Sequence, residues 1–239
     1  MFLQSANLMG FEWHIVLNVL RNHHDMIKIW GRRSAYNVQK VLWTIGELGL
    51  AYQHIDAGGS AGGLDQPDFQ AMNPHGRIPV LVDDDLTVWE SNSIVRYLCA
   101  NYSRDHLWAE APAKRSLAER WMDWELATLQ PDFLDLFWGF YRTPEALRDQ
   151  QKIQHAAMRC QKHFAILDAH LAEQAFLAGD AFSMGDIPVA TSLYRYFEMG
   201  IPTPKIPNVR RWYAALCERK AYREHIMTTF DELYARQTF

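Results

Sequence analysis

The spacing of apolar positions changes character twice along the chain. Ile27, Ile29 and Trp30 make a short apolar run that closes on Gly31 and predicts a strand. Val38, Val41, Leu42, Ile45 and Leu48 then recur at helical spacing, with Gly49 placed to end the helix. Tyr52 to Ile55 predicts a second strand, completing a β-α-β unit. The stretch DAGGSAGGLDQPDF, residues 56–69, is too glycine-rich for regular structure. It lacks the Gly-Lys-Ser/Thr ending of a phosphate loop, so it reads as a surface loop.

Alternation returns in HGRIPVLVDDDLTVWESNSI, residues 75–94. Val80 to Val82 and Thr87 to Trp89 flank the turn Asp83-Asp84-Asp85 and predict a hairpin. Pro79 lacks the N–H that a ladder needs, which puts it at a strand start or edge. Ser91 precedes Ile94, Tyr97 and Leu98 on one helical face and is a favoured N-cap, predicting a helix to about Ala100. The order β-α-β, loop, β-β-α is a mixed α/β layer.

After residue 101 nothing strand-like follows. RSLAERWMDWELATL, the long pattern from Ala146 to Gln174, and PNVRRWYAALCERK all predict helices, with Pro131 and Pro144 breaking or bending the first of these patterns. In FSMGDI, Ser183 stands three residues before Asp186, the spacing of a capping box. Phe182 and Ile187 hold the matching staple positions, and Pro188 in the following turn predicts a local irregularity. His155, His163 and His170 share roughly one helix face but come with no carboxylate at metal-ligand spacing, so no metal site is expected.

Composition narrows the function. Of 239 residues 49% are hydrophobic, enough for one large or two ordinary domains. The net charge of −4 gives no field to recruit nucleic acid or an anionic membrane. Cys99, Cys160 and Cys217 are an odd, widely spaced set without Cys-x-x-Cys, which fits a reducing compartment and argues against disulfide scaffolds and dithiol chemistry. Residues 1–25 are apolar in part yet lack the basic flank and cleavage site of a signal peptide, and read as an N-terminal extension.

Together these segments resemble the cytosolic glutathione transferases, from about Met26 to Arg236. NPHGRIPVLVDDDLTVWESNSIVRYL is similar to that family's glutathione-site signature, and LAGDAFSMGDIPVA to its capping-box segment. The resemblance implies a thioredoxin-like N-terminal domain over 26–101 and a linker over 102–111. An all-helical domain over 112–239 then holds the second-substrate pocket. It implies glutathione as co-substrate, a small hydrophobic electrophile as second substrate, a homodimer, a cytoplasmic location and a role in detoxification. Two alternatives share the fold: a glutathione-dependent peroxidase or disulfide reductase, and a non-catalytic glutathione-binding protein.

The resemblance also assigns residues. A cis bond before Pro79 would turn Ile78 so that its N–H and C=O pair with the cysteinyl backbone of glutathione. Arg77 would reach the peptide or clamp a carboxylate. Glu90 would meet the γ-glutamyl amino group, and Ser91 at a helix N-terminus its carboxylate. The thiolate position is less regular. In GRRSAYNVQKV the serine of the theta-like and phi-like classes falls on Ala35, which has no donor. The asparagine of a nu-like bacterial class falls on Asn37, and Ser34 is the nearest hydroxyl. Asn37 and Ser34 are therefore the candidate catalytic residues, with Tyr36 a weaker one. Simple roles compete: Asn37 capping the helix, Ser34 in a turn. Arg32 and Arg33 flank the site. Trp121, Trp124, Phe133, Phe137, Trp138 and Tyr141 divide between core and second-substrate pocket.

Overall fold

The computed structural model describes residues 26–103 and 107–238. The extension at 1–25 lies outside the described residues. Strand β1 (Ile27–Trp30) pairs in parallel with β2 (Tyr52–Ile55) and antiparallel with β3 (Val80–Asp83). Strand β4 (Leu86–Trp89) closes the hairpin, giving the order β2-β1-β3-β4. This is a thioredoxin-like sheet followed by an all-helical domain.

Helix α1 (Tyr36–Leu48) starts just beyond β1 and ends on Gly49 at φ 65°. It is buried on two sides. Val38, Val41, Leu42 and Ile45 pack with Ile29, Leu81, Ile94 and Leu98 over the sheet. Tyr36 and Trp43 belong instead to the core of the helical domain. Gly31, at φ 143°, makes the crossing possible: a Cβ there would lie 2.5 Å from Val38 Cγ2 and 3.2 Å from Ile78 Cβ. Glycine lets the end of β1, the start of α1 and the loop before β3 meet at one point.

The segment 56–69 is more ordered than its glycines suggest. It holds a 3₁₀ turn (Gly59–Ala61), and α2 (Pro67–Met72) begins within it. Pro67 sits in the first turn of α2, where its missing N–H is no loss, and Phe69 is buried with Ala57 and Val80. Six residues are too few for a helical period to register. Helix α3 (Ser91–Tyr102) follows β4 and packs on α1.

In the helical half, α4 (Pro112–Trp124) runs through a π-type turn (Glu125–Leu129) into α5 (Gln130–Leu136), and a second π-type stretch (Phe137–Arg142) ends the run. Pro131 therefore stands where the π-type turn passes into α5, and Pro144 lies beyond the helix end. Helices α6 (Gln150–Leu171), α7 (Asp186–Glu198), α8 (Pro207–Cys217) and α9 (Lys220–His225) complete the bundle. Helix α7 runs without a break through Pro188, because the N–H that proline lacks falls in the first turn. Helices α7 and α9 pack on α1, joining the two halves. No described helix is long and apolar enough to cross a membrane.

Candidate active site

The first turn of α1 is open. Its N-cap position is the buried Ala35, which offers no side-chain cap, and Gln39 is the first helical residue whose N–H finds a carbonyl, that of Ala35. The N–H groups of Tyr36, Asn37 and Val38 have no acceptor among the described residues. Asn37 is the second helical residue and not the cap. Its amide makes no hydrogen bond among the described residues, and its Oδ1 is fully buried. Three N–H groups without acceptors among the described residues and the positive end of the helix are what an anion binds to at a helix start.

The neighbouring hydroxyls are engaged. Ser34 Oγ donates to Glu232 and accepts from Arg32 at 2.9 Å. Its carbonyl accepts from Arg195 at 2.6 Å. Tyr36 is buried, and its hydroxyl donates to Glu125 at 2.9 Å, turned into the interface between the halves. Burial and then the Glu125 charge push its pKa well above the usual tyrosine value. The Tyr36 hydroxyl is thus engaged with Glu125 and not with the open turn. Arg33 is exposed and donates to the Tyr52 hydroxyl at 3.1 Å.

The proline loop stands beside this turn. The Ile78–Pro79 peptide bond is cis. The backbone N–H and C=O of Ile78 make no hydrogen bond among the described residues, although β1 pairs with β3 from Val80 onward. Asn73 holds the loop by donating to the Arg77 carbonyl at 2.8 Å, and the Arg77 side chain is exposed. Ile78 thus presents an unpaired edge, as a strand awaiting a partner would.

The start of α3 is a second open helix end. Glu90 occupies the N-cap position at φ 69° and ψ 113°, a region that residues with a Cβ rarely adopt. Ser91 is buried, but neither it nor Glu90 supplies a side-chain cap, and the Ser91 hydroxyl has no partner among the described residues. The N–H groups of Ser91, Asn92 and Ser93 are also without acceptors there. The expected N-cap role of Ser91 is therefore not found. The serine lies one residue inside the helix, at its first position.

The helical half contributes residues that the sequence pattern did not single out. Arg195 of α7 is buried, donating to the Ser34 carbonyl and to Gln39 Oε1 at 2.9 Å, and it has no carboxylate partner among the described residues. Burial, with Arg32 and Arg142 nearby, holds its pKa down at about 10. Phe137 and Tyr141 stack 5.2 Å apart, and Phe230 lies against both. The segment after α9 crosses this face: Ala235 N–H donates to the Tyr141 carbonyl at 3.0 Å, and Arg142 Nε to the Arg236 carbonyl at 2.8 Å. Deeper in, Lys40 of α1 donates to both oxygens of Glu125 at 2.9 Å and to Gln130 at 2.7 Å. A signal existed for both buried cations. Lys40 interrupts the stripe Tyr36, Lys40, Trp43, and Arg195 sits among the apolar residues of α7.

The remaining candidates are structural. Trp121 and Phe133 are core, whereas Trp138 is 40% exposed under the Arg142 guanidinium. His163 pairs with Asp132 at 2.7 Å, and His170 with the Leu177 carbonyl at 3.0 Å.

Models of the glutathione S-transferase N-terminal and C-terminal domains match residues 31–106 and 129–220. The chain is 46% identical over 204 residues to glutathione S-transferase GstB of Escherichia coli, a match covering 84% of this chain and 98% of that protein. Glutathione S-transferase 3 of Zea mays is 29% identical, over 84% of this chain and 93% of its own. Among solved structures, the theta class glutathione S-transferase of the citrus canker pathogen Xanthomonas axonopodis pv. citri, with glutathione bound, is 48% identical. It superposes with a TM-score of 0.82 over 85% of this chain and 98% of that one. The chain belongs to the glutathione S-transferase family.

Proposed function

We propose that the enzyme holds the sulfur of glutathione as a thiolate at the open first turn of α1, with the Asn37 side chain as donor, for attack on an electrophilic co-substrate. The observation that carries this reading is the Asn37 amide, unpartnered and with a buried oxygen beside three free N–H groups. A thiol pKa near 8.5 must fall by about 2 units to give mostly thiolate at neutral pH, which takes roughly 2.7 kcal/mol. A charge-assisted hydrogen bond from the Asn37 NH2 group and the positive helix end supply a stabilisation of that order. Ser34, the other candidate donor, has its hydroxyl on Glu232 and serves the sulfur only once that contact breaks.

The peptide binds along the free edges. Ile78 pairs with the cysteinyl backbone, Pro79 fixes that edge, and Arg77 meets the peptide from the exposed side. Ser91 with the N–H groups of α3 takes the γ-glutamyl carboxylate, while Glu90 takes its amino group. The second substrate lies between the turn of α1 and the aromatic wall of Phe137, Tyr141 and Phe230. A homodimer in the cytoplasm goes with this reading, and sedimentation equilibrium checks the dimer.

The test is a titration of thiolate absorbance in the enzyme–glutathione complex. Asn37→Ala should titrate higher than the parent by about one unit per 1.4 kcal/mol lost. Tyr36→Phe should not shift, because that hydroxyl belongs to Glu125. A shift in Tyr36→Phe with none in Asn37→Ala would refute the assignment.

A further inference from the structure

The turn that opens α1 has little support of its own. Ala35 at the cap position supplies no side-chain hydrogen bond, and the Ser34 side chain is turned to Arg32 and Glu232. Yet the N–H groups that follow must keep their direction, because a hydrogen bond weakens steeply as it bends. Support comes from the helical domain. Arg195 Nη2 of α7 donates to the Ser34 carbonyl at 2.6 Å and to Gln39 Oε1 at 2.9 Å, so it grips the residues one before and four after Ala35. Gln39 is held in turn: its amide donates to the His225 carbonyl at 3.0 Å and to Thr228 Oγ1 at 3.1 Å. One guanidinium nitrogen thus spans the first turn of α1, and the end of α9 steadies the far side. The guanidinium is itself held. Arg195 is 4% exposed, with the Phe137 ring 5.4 Å and the Phe230 ring 5.8 Å from its guanidinium carbon.

Resting on the transferase reading above, we propose that Arg195 is a positioning residue for the glutathione thiolate. By bridging the Ser34 carbonyl and the Gln39 side chain, it fixes the direction of Asn37 and of the N–H groups in the first turn of α1. The residue type suits the task. A guanidinium carries five N–H donors in a rigid fork and can hold two acceptors at a set spacing, whereas a lysine ammonium is a point donor on a flexible stem. Taking the guanidinium away leaves the Ser34 carbonyl and Gln39 Oε1 without donors, so the turn must rearrange to satisfy them. A displacement of about 1 Å in such a positioned group can cost about a hundredfold in rate. The titratable groups around Arg195 are Tyr36 of α1, Arg32 of the preceding loop, Arg142 of the π-type stretch and Glu232 of the terminal segment. Asp231 beside them accepts from the Tyr141 hydroxyl at 3.4 Å. None of these hydrogen-bonds to Arg195 among the described residues, so its grip on α1 is made through neutral acceptors and not through a charge pair.

The measurement is the titration of thiolate absorbance in the enzyme–glutathione complex, together with calorimetric affinity for glutathione at pH 5, where the thiol is mostly protonated. Arg195→Met should titrate about one pH unit higher than the parent, a tenfold weaker hold on the thiolate. Its affinity at pH 5 should stay within about twofold, because the peptide is gripped elsewhere. Conjugation of 1-chloro-2,4-dinitrobenzene should slow severalfold at pH 6.5, chiefly in kcat, and far less at pH 8.5. Arg195→Lys keeps the charge but not the fork, and should titrate between the other two. A folded Arg195→Met whose bound thiol titrates as in the parent overturns the proposal, however far its melting temperature falls, and leaves Arg195 a packing residue. Where Arg195→Met does not fold, Arg195→Lys carries the test. Parental titration in Arg195→Lys overturns the proposal in either case, since the charge would then suffice without the bridge. Asn37→Ala separates the two readings. If it shifts the titration while the Arg195 variants do not, only the positioning role falls. If neither shifts it, the thiolate reading falls as well.

Discussion

Glu90 is held at φ 69° and ψ 113° on the edge of a helix that its own side chain does not cap. Such backbone strain costs about 1–3 kcal/mol and persists where the surroundings impose it. Here it stands directly before the N–H groups of α3 that have no acceptor among the described residues and before the Ser91 hydroxyl. The residue types were legible in the sequence, since a Glu-Ser pair before an apolar helix is visible as such. The backbone angle was not, because a positive φ at a glutamate leaves no mark in the pattern. A sharp expectation follows for Ser91→Ala. The hydroxyl has no partner among the described residues, so the melting temperature should barely move. Glutathione affinity measured by calorimetry should fall by about 1–3 kcal/mol, the value of a hydrogen bond to a charged group. Unchanged affinity with a large loss of Tm would restore Ser91 to a purely structural role.

At the scale of elements, the strands, α1 and α6 were legible because each repeats its period several times. Helix α2 was hidden by its length, and the π-type turns in the run from α4 to Arg142 by their preserved apolar spacing. The capping box is half as expected. Ser183 N–H donates to Asp186 at 2.8 Å, but the serine hydroxyl donates to that carboxylate and accepts from Gly185 N–H at 3.3 Å rather than from Asp186 N–H. Asp186 further accepts from Leu177 N–H at 2.9 Å and from Trp212 Nε1 at 3.1 Å, so it ties the start of α7 to α8 and to the loop before it. Burial pushes this carboxyl up from 3.8 to about 6 in spite of the four donors. The folded chain therefore keeps that proton to higher pH than the unfolded chain. Its contribution to stability falls as pH rises from about 4 to about 6 and is level beyond, by up to about 3 kcal/mol. Asp186→Asn should be less stable than the parent, since an amide NH2 faces the N–H donors. It should also lack this pH-dependent component. Urea denaturation at pH 4.5 and pH 7 checks it: the parent's advantage should be smaller at pH 7, and an advantage that grows with pH would sink the claim.

For the whole molecule, the question is what fixes the helical domain against the sheet so that both sides of the cleft keep their spacing. Apolar contact does part of this, through Trp43 and Tyr36 of α1 in the helical core. The directional part is the Lys40–Glu125 pair, whose side chains are both 0% exposed, with the Tyr36 hydroxyl and Gln130 completing the shell. Burial lowers the Lys40 pKa, while Glu125 first and then Glu90 raise it. Sequence alone pairs no Lys40 with Glu125, since 85 residues separate them and neither spacing nor charge pattern links the two. Replacing one partner of such a pair strands the other charge in an apolar interior and costs about 3–5 kcal/mol, whereas replacing both costs less than the sum. Lys40→Met should therefore be severely destabilised in urea. Lys40→Met combined with Glu125→Gln should recover part of the loss, with a coupling energy of about 1–3 kcal/mol in the double-mutant cycle. Because the pair joins the halves, the parent should unfold in one transition followed alike by tryptophan fluorescence and far-ultraviolet circular dichroism, and the single variant should separate the two signals. Additive losses in the cycle, or a Lys40→Met protein as stable as its parent, would show that the halves are held by apolar packing alone.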